Sequence, residues 1–213
     1  RLISIHRDNT NYVQKIFNAV LFIKFGLLVL AYLFLFVFIR TSSFSEEEVL
    51  LLYLSFLMVA GSVLTPIWFF QGIEKMKWVT IVNVVIKALL VISVFVFVKS
   101  KSDVLLTGGL LAGSQLVIGI LSLFLAIRIF RIKIALPSYS EVIYQFKEGW
   151  LVFLSTLFTS IYVTSNGFLL GEWTSDTEVG YFTPAEKIIR AATSFFNPVM
   201  FALYPFISKK FSE

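Results

Sequence analysis

Six apolar runs, separated by short polar turns, recur along this chain of 213 residues. The first, at 16–39, carries a single charge, Lys24, and the others follow at about 49–70, 78–98, 105–127, 149–170 and 184–207. Crossing the hydrocarbon of a bilayer takes about 20 residues at roughly 1.5 Å each. Only helices or closed barrels satisfy every backbone group in lipid, and runs of this length without period-two alternation select helices. The expected fold class is therefore all-α, a polytopic transmembrane bundle of six spans. Charged residues make up 15% of the chain and hydrophobic ones 58%. Soluble domains carry about 25% charge, so composition argues against a water-soluble globule.

Lysine and arginine placement sets an expected orientation, because cytoplasmic loops carry the excess of positive charge. One set of ends holds eleven: Arg1, Arg7, Lys15, Lys75, Lys77, Arg128, Arg131, Lys133, Lys147, Lys209 and Lys210. The opposite set holds three, Arg40, Lys99 and Lys101. Loops near 71–77 and 128–148 are thus expected in the cytoplasm. Those near 40–48, 99–104 and 171–183 are expected outside. The net charge of +5 is explained by this topology, and nucleic acid is not an expected partner. The chain contains no cysteine and one histidine, His6, which excludes disulfides and argues against Cys- or His-based metal centres. No cofactor or metal is expected. Residues 1–15 are too polar for a signal peptide. The start at Arg1, and the end at Lys209-Lys210 directly after an apolar segment, read as an internal fragment of a longer membrane protein.

The stretch 65–80, TPIWFFQGIEKMKWVT, turns the chain between the second and third runs. Trp68 and Trp78 flank a basic patch, as expected at headgroup level. Elsewhere, Ser45 and Glu48 have the spacing of a capping box that would start the second helix. Gly109 and Gly113, four apart, have the spacing used for close helix packing. Segment 128–148 alternates basic and apolar residues, breaks at Pro137-Ser138, and then reads as a short amphipathic piece. It is the longest non-spanning segment and the expected boundary between two bundles. Pro66 and Pro198 should kink their helices. Kinks suit rocking bundles, though proline is also common in membrane helices without any gating role.

Four cations fall inside the runs: Lys24, Lys87, Lys187 and Arg190. A charge at mid-bilayer costs about 2.5–3.5 kcal/mol even on lenient scales, so such groups face a bundle interior or a wet cavity. Lys87 lies nine residues, about 13 Å, beyond Trp78, and Asn83 sits one turn before it on the same face. Lys24 either snorkels to the surface or lines a cavity. Glu186 and Arg190, four apart, can pair, which would make Arg190 a neutralised structural residue. Asn197 adds polar support in the sixth run. Taken together, the excess of cations over one acid points to a cationic cavity for an anionic ligand, most simply phosphate or pyrophosphate bearing a sugar. There is no H-E-x-x-H, G-x-S-x-G or P-loop, and no enzyme activity is expected.

Pro66-x-Trp68-Phe69-Phe70-Gln71-Gly72-x-Glu74-x-Met76, followed by an apolar span, resembles the polysaccharide transporter family of O-antigen flippases (Wzx-type). These belong to the multidrug/oligosaccharidyl-lipid/polysaccharide exporter superfamily. Gly180-Tyr181-Phe182-x-x-Ala185-Glu186-Lys187-Ile188, continuing through Arg190, Pro198 and Tyr204-Pro205, is similar to the same family. The resemblance implies a two-lobed, MATE-like protein of about 12 helices. Residues 1–127 would supply the latter part of the first lobe, 128–148 a cytoplasmic inter-lobe linker, and 149–213 the start of the second lobe. It further implies translocation of undecaprenyl-pyrophosphate-linked O-units from the cytoplasmic to the periplasmic leaflet of the bacterial inner membrane by alternating access, coupled to H+ or Na+. Lipid-linked oligosaccharide, membrane lipid and polysaccharide-assembly proteins would be its partners, and a monomer its state. Lys24, Lys87, Lys187 and Arg190 match the cavity cations, supported by Asn83, Glu186 and Asn197. Pro66, Trp68, Gln71, Gly72, Glu74 and Pro198 would serve as gate or turn residues. A multidrug/cation antiporter of the same superfamily and a membrane glycan polymerase or transferase are the alternatives. The first calls for intramembrane carboxylates, and the second for a catalytic site elsewhere.

Overall fold

The structure, a computed structural model, describes residues 2–6 and 9–194. Every regular element among them is helical. After one turn, α1 (Leu2–Ile5), come α2 (Thr10–Thr41), α3 (Glu46–Leu64) and the short α4 (Ile67–Gly72). Then follow α5 (Met76–Phe97), α6 (Val104–Arg128), α7 (Tyr139–Trp173) and α8 (Asp176–Ser194). Among the described residues, five segments are long and apolar enough to cross a membrane: α2, Glu46–Gly72 (α3 with α4), α5, α6 and α7. The fold is an all-α polytopic bundle. The sixth expected run begins inside α8 and continues past the described residues. Large apolar side chains point outward, with Phe34, Phe95 and Leu151 exposed by 74%, 76% and 76%. Water would penalise each by roughly 1.5–3 kcal/mol relative to burial, and hydrocarbon would not.

Local chemistry sets the helix ends. Ser45 donates its N–H to Glu48 Oε2 (2.7 Å), and Glu48 returns its N–H to Ser45 Oγ (3.3 Å). This is the box expected from the spacing. A second box, carried by Ser138 and Glu141 at 2.9 and 3.3 Å, starts α7. Between α5 and α6, Lys99 and Ser100 each donate a backbone N–H to Asp103 Oδ2 at 2.8 Å. These bonds hold the Asp103 carboxyl below the usual carboxylate range. A lowered folded pKa stabilises above the unfolded value and is lost as pH falls through the folded one. Asp103→Asn should therefore lower the melting temperature of the intact protein near neutral pH. The gap from wild type should close below about pH 4. An unchanged gap between about pH 7 and about pH 2 would refute the assignment.

Contacts divide the chain into two units, Arg1–Gly149 and Trp150–Glu213. In the first, α6 packs on α3 and α5, and α2 packs on α3. The α3–α6 crossing is made by glycine. A Cβ added to Gly61 would lie 2.6 Å from the Gln115 carbonyl carbon and oxygen. One added to Gly119 would meet the Gly61 carbonyl and lie 2.8 Å from Leu64 Cβ. Gly108 continues the row against Leu51 and Leu54. Gly109 and Gly113, the pair expected from spacing, meet nothing within 4 Å. Four-residue spacing marks a helix face without saying which face has a neighbour, and α3 lies on the 108/115/119 row.

Two further differences concern the last helices. The amphipathic piece at 139–148 and the span at 149–170 form one helix, α7. No proline divides them, and the single Gly149 costs only about 1 kcal/mol in a helix interior. The expected outward loop at 171–183 is largely helical as well. The Ser175 carbonyl accepts the N–H groups of Glu178 (3.0 Å) and Val179 (3.2 Å) to begin α8, which runs through Pro184. Glu178 near the positive helix end favours that start, and Pro184 forfeits one main-chain bond.

Candidate functional site

The hairpin at 65–75 supplies three of the largest fully buried side chains of the first unit, Pro66, Phe69 and Phe70. Pro66 has no N–H for the Ser62 carbonyl, and Thr65 replaces it: its N–H reaches Ser62 O (3.2 Å), while its hydroxyl donates to Gly61 O (2.9 Å). The break is thus satisfied, and Pro66 is buried. Phe69 and Phe70 are 1% and 0% exposed. The Phe69 ring sits edge-on to Phe17 of α2 at 5.2 Å and to Phe130 at 5.8 Å, and Trp68 leans on Phe17 at 5.5 Å. Gly72 is closed over by Ile3, whose Cγ2 would lie 2.6 Å from an added Cβ. Gln71 is exposed. Glu74 takes φ 59°, and the chain stops there as Lys75 N–H reaches Phe70 O (2.9 Å) and Glu74 N–H reaches Gln71 O (3.2 Å). This pairing is the left-handed helix ending usually given to glycine. The motif read as a membrane-surface turn also packs largely into a protein core, with Trp78 left at its rim, 40% exposed.

Side chains of α2 hold the segment after α6. Gln14 Nε2 donates to Arg131 O (3.3 Å) and Asn18 Nδ2 to Lys133 O (3.0 Å). Phe130 and Ile132 alternate inward, and Ile132 is 3% exposed. Lys15 pairs with Glu141 at 3.2 Å. Neither Gln14 nor Asn18 stood out in the sequence. Their shared face, four residues apart, is a usable signal only once the partner segment is known. A groove of about 520 Å³ opens beside this core, lined in part by Thr10, Phe69, Lys75 and Phe130.

The cations are distributed unevenly. Lys24 on α2 is half-buried and Lys87 on α5 is exposed, and neither forms a hydrogen bond or ion pair among the described residues. Asn83 satisfies its amide on its own helix, Nδ2 to Val79 O at 2.9 Å. On α8, Lys187 is exposed and likewise unpaired among the described residues. Arg190 does pair: Nη2 and Nε reach Glu186 Oε1 at 2.6 and 3.2 Å, and Nη2 also donates to Val163 O at 3.1 Å. Among the described residues, the pairing of Glu186 with Arg190 is the one hydrogen-bonded contact between two of these candidates. Asn197 and Pro198 lie outside the described residues. No cluster of three His, Asp or Glu side chains able to hold a metal occurs among the described residues.

Arg190 also lines a groove of about 420 Å³ between α7 and α8, together with Ser155, Thr156, Thr159, Ser160 and Thr164. The sequence reading passed over these hydroxyls. Their 155/159 and 156/160/164 spacing, inside a run apolar enough to cross a membrane, was the available signal.

Residues 1–211, nearly the whole chain, match the family of polysaccharide biosynthesis proteins. The chain belongs to that family. A curated relative from Escherichia coli (strain K12), named "Putative O-antigen transporter", is 32% identical over 201 residues, covering 94% of this chain and 48% of the relative. One of the same name from Shigella dysenteriae is 33% identical over 156 residues, covering 73% of this chain and 39% of the relative. The chain spans at most about half the length of these curated relatives. No solved structure gives a significant match. Within this polysaccharide biosynthesis family member, the buried hairpin is a packed core, and the α7–α8 groove is an open one lined by exposed hydroxyls and Arg190.

Proposed function

We propose that this chain is part of a transporter, not an enzyme, that moves O-antigen oligosaccharide units linked to undecaprenyl pyrophosphate from the cytoplasmic to the periplasmic leaflet of the bacterial inner membrane. The cycle is alternating access driven by an ion gradient. Residues 1–127 and 149–213 contribute to two lobes joined by 128–148, with the loops near 71–77 and 128–148 on the cytoplasmic side. Support comes from family membership and from relatives named as O-antigen transporters. The observation that carries the mechanism is the set of cations, Lys24, Lys87 and Lys187, that have no acidic partner among the described residues. Unpaired charge in or beside apolar helices is costly unless a counter-charge arrives, and a pyrophosphate supplies one. The hairpin then holds helix ends together rather than touching substrate.

The test is complementation of a flippase-null bacterium with the intact gene, scored by surface polysaccharide. Wild type should restore display. Lys87→Ala should reduce transport about tenfold or more at equal protein level, since a lost charge-assisted hydrogen bond is worth about 1.5–3 kcal/mol. Lys87→Arg should retain most of it. Arg190→Ala should also impair display, through the groove rather than through net charge. Normal display in Lys87→Ala would remove Lys87 from the substrate path.

A further inference from the structure

We propose that the groove between α7 and α8 is a carbohydrate subsite, taking the hydroxyl-bearing face of a neutral sugar. The inference rests on the transporter reading above and assigns a separate part of the same substrate. Five hydroxyls, Ser155, Thr156, Thr159, Ser160 and Thr164, line it with the Arg190 guanidinium. Its volume of about 420 Å³ lies in the range of small-molecule pockets, roughly 300–1,000 Å³.

The hydroxyls are of two kinds. Ser155 and Thr156 donate to Val152 O at 2.9 and 2.8 Å, and Thr159 donates to Ser155 O at 2.8 Å. Their protons are used inside the helix, so their oxygens remain as acceptors. Ser160 and Thr164 form no hydrogen bond among the described residues, and each brings a donor and an acceptor. Arg190 adds the strong donor, held in place by Glu186 and by the Val163 carbonyl.

This chemistry discriminates among the parts of a lipid-linked oligosaccharide. An acyl or prenyl chain gains nothing from five hydroxyls. A phosphate needs net positive charge, and the one cation here is already neutralised by a carboxylate 2.6 Å away. Acceptor oxygens along two adjacent helical rows would repel an anion further. A sugar ring offers several O–H donors and acceptors on one face, which matches a neutral surface of mixed polarity. Lys24, Lys87 and Lys187 are then left to the pyrophosphate, and the hydroxyl groove reads the glycan.

The intact protein, purified in detergent, would be titrated with two probes. One is the lipid-free repeat-unit oligosaccharide, released by mild acid from the carrier of the bacterium that encodes the chain. The other is inorganic pyrophosphate. The triple variant Thr156→Val, Ser160→Ala, Thr164→Val should bind the oligosaccharide about tenfold more weakly, equivalent to one or two hydrogen bonds, and pyrophosphate as wild type does. Thr156→Ser with Thr164→Ser, which keeps both hydroxyls, should restore binding, and this pair guards against a loss of folding. Equal oligosaccharide affinity in wild type and triple variant would overturn the subsite, as would parallel loss of both probes in a variant with unchanged melting temperature. Wild type that restores display yet binds no oligosaccharide would overturn the groove alone. Failure of wild type to restore display would instead overturn the transporter reading.

Discussion

Gly119→Ala and Gly61→Ala are each expected to lower the melting temperature of the intact, detergent-solubilised protein by about 10 °C. The new methyl at 119 would meet the Gly61 carbonyl and Leu64 Cβ, and that at 61 the Gln115 backbone. These obstacles are mostly main chain, which cannot rotate aside, so the helices must separate. Overpacking of this kind costs about 1–3 kcal/mol and occasionally more. It opposes a gain of about 1 kcal/mol from replacing glycine in a helix interior. The two terms have opposite signs, and a clash with main chain places the cost at or above the top of its range. A cost of about 4 kcal/mol, just above that range, less the gain of about 1 kcal/mol, leaves a net loss of about 3 kcal/mol. That loss corresponds to roughly 6–12 °C for a chain of this size. Gly113→Ala is the matched control. It meets nothing within 4 Å and should be neutral or slightly stabilising. A fall for Gly113→Ala equal to that for Gly119→Ala would refute the α3–α6 crossing.

Phe69→Ala should be at least as damaging. The ring is 1% exposed and lies edge-on to Phe17, Phe70 and Phe130 at 5.2, 5.3 and 5.8 Å. Truncating a buried phenylalanine costs about 3–5 kcal/mol through lost transfer energy and the cavity left behind. Edge-to-face pairs add about 0.5–1.5 kcal/mol each. Against a total stability of about 5–15 kcal/mol, the variant should accumulate poorly and show a broadened, lowered thermal transition. Phe69→Leu should fall between it and wild type. Phe34→Ala, at a position 74% exposed, should leave the transition nearly unchanged. Equal thermal transitions for Phe69→Ala and Phe34→Ala would refute the hairpin core.

The candidate site was legible only in part. Lys24, Lys87, Lys187 and Arg190 stand out because charge is rare in apolar runs, and the spacing of Glu186 and Arg190 already allowed the pair that forms. The hydroxyl groove was overlooked because serine and threonine can satisfy themselves on their own helix, so their presence in a span demands no partner. Only the approach of α8 gives their shared face a meaning. The Ser138–Glu141 box was readable by the same rule that located Ser45–Glu48. It was obscured by a proline and a basic segment that suggested a break.

What the chain's order of residues determined by itself is the all-helical, multi-pass architecture. Hydrocarbon leaves backbone groups no partner except their own helix, so about 20 apolar residues suffice to specify a span. Prolines, capping residues and charges then mark most of the turns. Which faces meet was decided by tertiary structure alone. Gly119 rather than Gly113 meets α3, Phe69 is buried against Phe17 and Phe130, and Asn18 and Gln14 hold carbonyls 115 and 117 residues away. Every face of a membrane helix is apolar enough for lipid, so hydrophobic patterning loses its power to point inward. Close packing and hydrogen bonds between distant segments choose the neighbours instead.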